Sequence, residues 1–344
     1  MRIRDEVFVE ATSVVLPIRR QTVRQAVRLG GLPLEQAEEL SGVTEVPVAD
    51  HAQCRESMAL AAAHDVLARP RAAQDVGLVV CAWVLDTDTD WKLAPRLARK
   101  AGARRAVAIG VRQLSNGGAM GVQIAAAQMM AEASLRAALV LTGDALGPDA
   151  PGRWAAAEGA FMGDAATALL LSRTRGRLAV RSIASSGHCE HEADFPTANP
   201  LLGSPPSASA APAKAGSGSF LLRRCVRDAV QGALADAGLD AGDARLRIVM
   251  LPRLAPWLLD VLMTGLLPDA LKAEQLRLTA RAGHLFAGDM TANLDHLLRE
   301  DALEAGQYAL LVSVGSGFTA TCLVVQAVSP LTDAELQEKG VATS

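Results

Sequence analysis

Short apolar runs rich in β-branched residues alternate along the chain with longer helix-like segments. Apolar runs of strand length that end at turn residues predict strands, while longer amphipathic or apolar segments predict helices. Strands are predicted at residues 7–16, 76–85, 106–111, 138–141, 165–172, 178–185, 246–251, 276–280, 309–314 and 319–328. Helices are predicted at residues 21–41, 56–68, 95–101, 119–133, 222–237 and 289–299, with a further helix beginning near Trp257. This alternation is typical of an α/β fold.

Three segments have patterns that need a more specific interpretation. Residues 119–133 are apolar nearly all round, which predicts a buried helix, and the apolar strands at 76–85 and 106–111 are expected to be buried as well. Residues 309–332 carry no charge and are long enough for a membrane span, but Gly315-Ser316-Gly317 interrupts them. We therefore interpret them as two strands joined by a glycine turn.

The order of elements repeats once along the chain. Val76 to Ala138 spans 62 positions and Ile248 to Ala309 spans 61, and each span contains a strand, a helix, a second strand, a helix and a third strand. This predicts two similar halves, residues 1–175 and 176–344. If the halves pack about a pseudo-two-fold axis, Ser115 in the first span and His284 in the second come together at helix N-termini.

Composition argues against several classes of function. The chain has 344 residues, half of them hydrophobic, and a formal net charge of -3 without a basic stripe, so no nucleic-acid partner is expected. Five scattered cysteines without a CxxC pair, and no signal-peptide pattern at the N-terminus, favour a reduced, cytoplasmic compartment. His188-Cys189-Glu190-His191 fits no strong zinc pattern, so no metal or resident cofactor is expected.

The stretches 113–118 and 281–289 carry the candidate chemistry. Ser115 is the candidate nucleophile and His284 its candidate base, because a serine hydroxyl needs a base within hydrogen-bond reach. Asp289 is placed to orient the imidazole and to stabilise its protonated form. Backbone N–H groups at Ser115 and in the turn of Gly315, Ser316 and Gly317 are candidates for an oxyanion hole.

Each of these residues also has a purely structural interpretation. Ser115, Asn116 and Asp289 are residue types that commonly cap helix N-termini, and His284 is equally compatible with a buried core histidine bonded to backbone. The spacing of the residues leaves both interpretations open.

Three motifs together resemble the ketoacyl synthase III-like family of thiolase-fold condensing enzymes. Ser115-Asn116-Gly117-Gly118 is similar to that family's nucleophile elbow, Met162-Gly163-Asp164-Ala165-Ala166 to its Gly-Asp-Gly-Ala strand entry, and Gly315-Ser316-Gly317-Phe318-Thr319 to its C-terminal glycine turn. The resemblance covers nearly the whole chain. It implies an α/β, thiolase-like fold with two pseudo-duplicated halves in a five-layered αβαβα arrangement.

The chain departs from the family at the reactive positions. Ser115 stands where the family has its nucleophilic Cys, Arg253 follows Pro252 where the family has a His, and His284 stands where the family has an Asn. The resemblance is therefore to the divergent branch of polyketide, antibiotic and other secondary-metabolite pathways. It implies that a short acyl group passes from acyl-CoA or acyl carrier protein to Ser115, and then to a malonyl-carrier carbon (starter-unit priming) or to a hydroxyl or amine. Asn116 and Arg253 are the candidate substrate-binding residues.

The resemblance also implies partners and a rival function. Acyl-CoA and an acyl carrier protein are the expected partners, with the phosphopantetheine arm entering as substrate rather than as cofactor, and the chain is expected to be a homodimer without membrane contact. The rival function is a catalytically silent partner subunit of a heterodimeric condensing enzyme, because both the family's Cys and its His are absent.

Overall fold

A ten-stranded mixed sheet forms the framework of the computed structural model, which describes residues 1–3, 7–29, 42–68, 72–86, 90–150, 152–154, 159–189, 217–263, 265 and 272–329. The strands are β1 Phe8–Val15, β2 Arg20–Thr22, β3 Glu45–Pro47, β4 Val76–Ala82, β5 Val107–Val111, β6 Ala137–Asp144, β7 Ala165–Ser172, β8 Leu178–Gly187, β9 Leu246–Met250, β10 Glu274–Leu276, β11 Tyr308–Gly315 and β12 Thr319–Ala327. The helices are α1 Val23–Arg28, α2 Arg55–Val66, α3 Ala72–Asp75, α4 Leu93–Lys100, α5 Gly117–Ala131, α6 Ser217–Ala237, α7 Pro256–Met263 and α8 Asp289–Arg299.

The two halves of the large sheet have the same strand topology. The sheet order is β10-β9-β11-β12-β8-β1-β7-β6-β4-β5, so each half places its second strand between its third and fourth. In each half these three strands are parallel and the remaining pairs are antiparallel. The halves meet where β1 and β8 pair over two residues, and the predicted boundary at residue 175 falls in the turn between β7 and β8.

The central helices lie between the two halves of the sheet and other helices cover the outside, which gives five layers. The central helices α5 and α8 contact each other and strands of both halves: α5 packs on β4, β6 and β12, and α8 packs on β11, β1 and β7. Helices α2 and α4 cover the outer face of the first half, and α6, with α7 packed against it, covers the second. The α/β, five-layered, thiolase-like arrangement implied by the resemblance is confirmed.

Glycines let the central layer form. Helix α5 is buried on most of its surface, as its lack of a polar face predicts. A Cβ on Gly118 would overlap the carbonyl oxygen of Ala287, so only glycine permits this approach between the first turn of α5 and the turn before α8.

The structure corrects two predicted strands. The run at 106–111 becomes β5, an edge strand rather than a buried one, with Val107 65% and Ile109 37% exposed. The strand predicted at 276–280 is instead Glu274–Leu276. It ends there because the carbonyls of Leu278 and Ala280 accept hydrogen bonds from Arg253 and Thr44 rather than from a neighbouring strand.

Two other predictions fall mainly outside the described residues. The helix predicted at 21–41 is described only to residue 29, where it contains α1. The loop predicted at 199–219 is described only from residue 217, where α6 already begins. Within the described part of the chain, no helix is both long and apolar enough to cross a membrane.

Candidate active site

A strained turn presents Ser115 between β5 and α5. Residues Leu114–Asn116 form one 3₁₀ turn, and Leu114 has φ of 49°, a left-handed conformation that is costly for a residue with a side chain. Strain of this kind persists only where the surrounding structure enforces it. The turn leaves the Ser115 side chain half-buried, next to the start of the central helix at Gly117.

The turn between β11 and β12 packs against the turn that contains Ser115. Gly315 lies so close that a Cβ there would come within 3.0 Å of the Asn116 nitrogen and of the Gln113 carbonyl oxygen. The Asn116 side chain, which is fully buried, donates to Gln113 Oε1 at 2.9 Å and to Thr321 Oγ1 at 2.8 Å. The second half of the chain therefore fixes the backbone next to the candidate nucleophile.

His284 is held through its own backbone. Its N–H donates to the Phe161 carbonyl at 2.7 Å, and its carbonyl accepts from the Gly163 N–H at 2.9 Å. Gly283 precedes it with φ of 64°, where any Cβ would overlap the Phe161 carbonyl. The imidazole is 3% exposed, and its Nε2 lies 2.7 Å from Ser115 Oγ.

Asp289 completes a line of three side chains. Its Oδ2 lies 2.6 Å from His284 Nδ1, its Oδ1 accepts from the Leu285 N–H at 2.7 Å, and Oδ2 also accepts from the Arg253 N–H at 3.0 Å. With Nδ1 donating to this carboxylate, Nε2 is left to accept the Ser115 hydroxyl proton. This is the arrangement that activates a serine nucleophile.

Opposing effects set the ionisation of Asp289. Burial raises the pKa of its carboxyl, but the charge and hydrogen bond of His284, the charge of Arg253 and the Leu285 amide more than offset burial and hold the pKa below its usual range. The carboxyl is 2% exposed, so these partners are its whole polar environment within the described structure. It therefore remains a carboxylate beside the imidazole at neutral pH.

The capping interpretations do not describe these side chains. The residue before α5 is Asn116 and the residue before α8 is Gly288, and neither helix start has a side-chain capping hydrogen bond. Ser115 and Asp289 both bond to His284 instead.

The repeat brings the halves together in a different register from the predicted one. The 3₁₀ turns Leu114–Asn116 and Phe286–Gly288 are equivalent: each begins with a positive φ, 49° at Leu114 and 54° at Phe286, and each leads directly into a central helix. The counterpart of Ser115 is therefore Ala287, and His284 lies before the turn rather than at the helix N-terminus. The two side chains still meet because the turns pack against each other.

The other predicted site residues lie around this line. Of Gly315, Ser316 and Gly317, only Gly315 packs against the turn that contains Ser115. Ser316 is exposed, and Gly317, with φ of 81°, faces open space. Arg253 is 7% exposed, and its Nη1 donates to the Leu278 carbonyl at 2.8 Å. The oxyanion role of the turn and the substrate-binding roles of Asn116 and Arg253 stay predictions.

The sequence interpretation missed a buried ion pair that fixes the backbone around His284. Arg153 Nη2 lies 2.9 Å from Asp164 Oδ2, both side chains are at most 2% exposed, and Arg153 Nη1 donates to the Met162 carbonyl at 2.9 Å. Asp164 also accepts from the Ala49 and Leu146 N–H groups. The pair thus holds segment 161–163, which bonds to His284. The available signal was Asp164 inside a motif, with an isolated Arg in the Ala-rich segment before it.

The sequence interpretation also missed a hydrogen-bonded chain of buried threonine hydroxyls at the Phe286–Gly288 turn. Thr291 Oγ1 donates to the Gly288 carbonyl at 2.9 Å and lies 2.5 Å from Thr167 Oγ1, which lies 2.7 Å from Thr142 Oγ1. These contacts tie β6, β7 and α8 together next to the Phe286–Gly288 turn. Isolated threonines in apolar strands gave no sequence signal for it.

Comparisons with known proteins agree with this architecture. Residues 270–327 match the model of the C-terminal part of 3-oxoacyl-[acyl-carrier-protein] synthase III. Among solved structures, ChlB3, described as an acyltransferase, is 26% identical with a TM-score of 0.80, and the match covers 94% of this chain and 98% of ChlB3.

Two more distant structures share the fold. The 3-oxoacyl-(acyl carrier protein) synthase III FabH from Pseudomonas aeruginosa PAO1 is 20% identical with a TM-score of 0.74, over 95% of this chain and all of FabH. A variant of OleA from Xanthomonas campestris is 12% identical with a TM-score of 0.74, over 95% of this chain and 99% of OleA. No curated protein sequence matches the chain.

Proposed function

We propose that the chain is a ketoacyl synthase III-like, acyl-transferring enzyme of the thiolase fold in which Ser115 carries the acyl group. The observation that supports this most strongly is the Ser115–His284–Asp289 line, with contacts of 2.7 and 2.6 Å. We propose a short acyl-CoA or an acyl-loaded carrier protein as donor, in line with the carrier-protein synthases among its structural neighbours.

The first half-reaction follows from the hydrogen bonds. His284 Nε2 takes the Ser115 proton as Oγ attacks the thioester carbonyl, and Asp289 stabilises the imidazolium that forms. The carbon–sulfur bond then breaks, and the thiolate leaves with the proton that His284 returns. The products are an acyl ester on Ser115 and a free thiol.

Backbone N–H groups beside Ser115 are proposed to stabilise the tetrahedral oxyanion, with the turn of Gly315, Ser316 and Gly317 as the second source of donors. Asn116 Oδ1 is a buried acceptor without a hydrogen-bond partner within the described structure. It is proposed to accept from an amide N–H of the substrate.

The second half-reaction is proposed to transfer the acyl group to a hydroxyl or amine. Transfer to a malonyl carbon requires stabilisation of the enolate formed on decarboxylation, which the family is expected to supply through a His and an Asn. At those positions Arg253 donates to Leu278, and His284 is held between Ser115 and Asp289. His284 is well placed to deprotonate an O–H or N–H acceptor, which then attacks the ester and displaces Ser115 Oγ.

The acceptor proposal is tested by decarboxylation. Acylated enzyme is supplied with a malonyl carrier protein labelled at its free carboxyl carbon, and released carbon dioxide is counted. We expect background release together with turnover of a hydroxyl or amine acceptor panel. Acyl-dependent carbon dioxide release would instead support starter-unit priming in a secondary-metabolite pathway.

The geometry argues against a silent partner subunit. A subunit without catalytic function has no need for three aligned side chains, two of them buried, beside a strained turn. The assembled line of contacts therefore favours an active enzyme.

We propose that a second copy pairs at β5. This strand pairs with β4 on one side, ends the sheet within the described structure, and exposes Val107 and Ile109. An unprotected apolar edge is a template for strand addition. Addition of an identical strand across a two-fold axis gives a homodimer.

A further inference from the structure

The charge and the backbone N–H of Arg253 both act on Asp289, although within the described structure Arg253 hydrogen-bonds to neither Ser115 nor His284. Its N–H donates to Asp289 Oδ2 at 3.0 Å, and its side chain is 7% exposed. The sequence suggested a substrate contact for this residue. That contact stays a prediction, and in the structure the Arg253 Nη1 donates to the Leu278 carbonyl at 2.8 Å.

The contacts of Arg253 also organise the approach to His284. Leu278 is followed by Thr279, whose hydroxyl donates to the Leu254 carbonyl at 2.8 Å and whose carbonyl accepts from the Gly283 N–H at 2.9 Å. Segments 253–254 and 278–283 are therefore joined by two side-chain bonds. The N–H that bonds to Asp289 and the side chain that bonds to Leu278 therefore belong to one buried residue.

We infer that Arg253 is the positioning residue of the active site, which holds Asp289 in place through its backbone and keeps it ionised through its buried charge. The inference rests on the proposed function of Ser115. A buried cation is costly unless an anion compensates it. The charges of Asp289 and Asp295 do so, opposing the burial that lowers the pKa of Arg253.

The charged groups around Asp289 are few within the described structure. His284 faces it from the turn before α8, Arg253 from the segment after β9, and Asp295 lies further along α8, where its charge also acts on Arg253. Asp144, at the end of β6, is a further buried carboxyl near the Phe286–Gly288 turn, and the buried Arg153–Asp164 pair lies behind the segment that bonds to His284. Arg253 is the permanent cation whose charge acts on Asp289.

Arg253→Met tests the charge, because it retains the backbone N–H and much of the side-chain volume. The readout is the pH dependence of Ser115 labelling by a fluorophosphonate, in which Oγ attacks phosphorus, fluoride leaves and His284 accepts the proton. Catalysis requires the His284–Asp289 pair without an extra proton. Loss of the guanidinium allows the pair to keep that proton to higher pH.

We expect Arg253→Met to label about tenfold more slowly than the unchanged protein on the acidic side of the profile, with plateau rates within about threefold. Arg253→Lys should restore the labelling rate on the acidic side of the profile. A uniform loss at all pH values, or no change, would overturn the inference. If the Met variant does not fold, Arg253→Gln decides, because its uncharged side chain keeps an N–H donor: slower labelling on the acidic side supports the inference, and an unchanged profile overturns it.

Labelling of the native protein distinguishes failure of this inference from failure of the proposed function. Absence of Ser115 labelling in the unchanged chain would refute the serine mechanism, and the role of Arg253 with it. Ser115 labelling with an Arg253-independent pH profile would refute the role of Arg253 alone.

Discussion

His284 Nε2 lies 2.7 Å from Ser115 Oγ, although the two residues are 169 positions apart and belong to different halves of the chain. Neither half contains the site alone. The contact depends on close packing of the turns before α5 and α8, so small changes in that packing are expected to affect activity before they unfold the protein.

Asp289→Asn should lower the rate of Ser115 acylation by a factor on the order of 10³ to 10⁴. The amide retains an acceptor for the Leu285 N–H, but it no longer stabilises the imidazolium or selects the Nδ1–H tautomer. Stopped-flow measurement of thiol release reports this rate. Asp295→Asn on the same helix is the control and should leave the rate at the optimum pH nearly unchanged; an equal loss in both variants would contradict the assignment.

Gly118→Ala should destabilise the protein by about 1–3 kcal/mol and inactivate it. The added Cβ overlaps the Ala287 carbonyl oxygen, so the two turns must separate and Ser115 must move from His284. Chemical denaturation and labelling of Ser115 measure both effects. The matched control is Gly232→Ala in α6, where the Cβ would meet only the Ala184 Cβ at 3.2 Å. If Gly118→Ala retained full activity, the site would not depend on this approach.

Asp144→Asn should change how stability depends on pH. Burial raises the pKa of Asp144 to about 7, against the opposing effects of the Leu85 and Val84 amides and the charge of Arg55. The unfolded carboxyl ionises near pH 4, so the native protein binds the extra proton between pH 4 and 7 and its stability falls as pH rises through that range.

The loss attributable to Asp144 is on the order of 4 kcal/mol over this range. Asp144→Asn should remove it, which urea titrations at pH 4, 5.5 and 7 would detect as a flatter dependence. Asp149, whose side chain is 85% exposed, supplies the control substitution Asp149→Asn. Parallel pH curves for the native protein and Asp144→Asn would contradict this account.

Ile109→Lys should dissociate the proposed homodimer. Ile109 is 37% exposed on the edge strand, and a lysine there places charge in a paired, apolar edge. Sedimentation velocity would show a monomer for this variant and a dimer for the native protein. Ile18→Lys, at a side chain 95% exposed elsewhere, should remain dimeric. A native monomer would refute the pairing at β5.

Periodicity predicted most of the elements because their apolar runs are continuous and buried. Helix 289–299 has the predicted ends, and β7 occupies residues 165–172 as predicted. The exposure of β5 was not predictable, since an apolar run has the same sequence pattern at the centre of a sheet and at its edge. The end of β10 depends on bonds from Arg253, which lies 25 positions from Leu278.

The candidate side chains were predictable by residue type, but their geometry was not. Ser115, His284 and Asp289 stand out because few polar residues interrupt glycine-rich turns. The register of the repeat was placed three residues off, because the positive φ of Leu114 and Phe286 leaves no mark in side-chain polarity. Arg153 and Arg253 are buried charges, which a sequence does not distinguish from exposed ones.

The central claim is that Ser115 carries the acyl group. Intact-protein mass spectrometry tests it after incubation with a panel of short acyl-CoAs and the same acyl groups on a carrier protein, with Ser115→Ala and Ser115→Cys in parallel. We predict one acyl adduct on the native chain and on Ser115→Cys, and none on Ser115→Ala, whose circular dichroism should match the native spectrum. An adduct that persists on Ser115→Ala, or thiol release without any adduct on the native chain, would contradict the account.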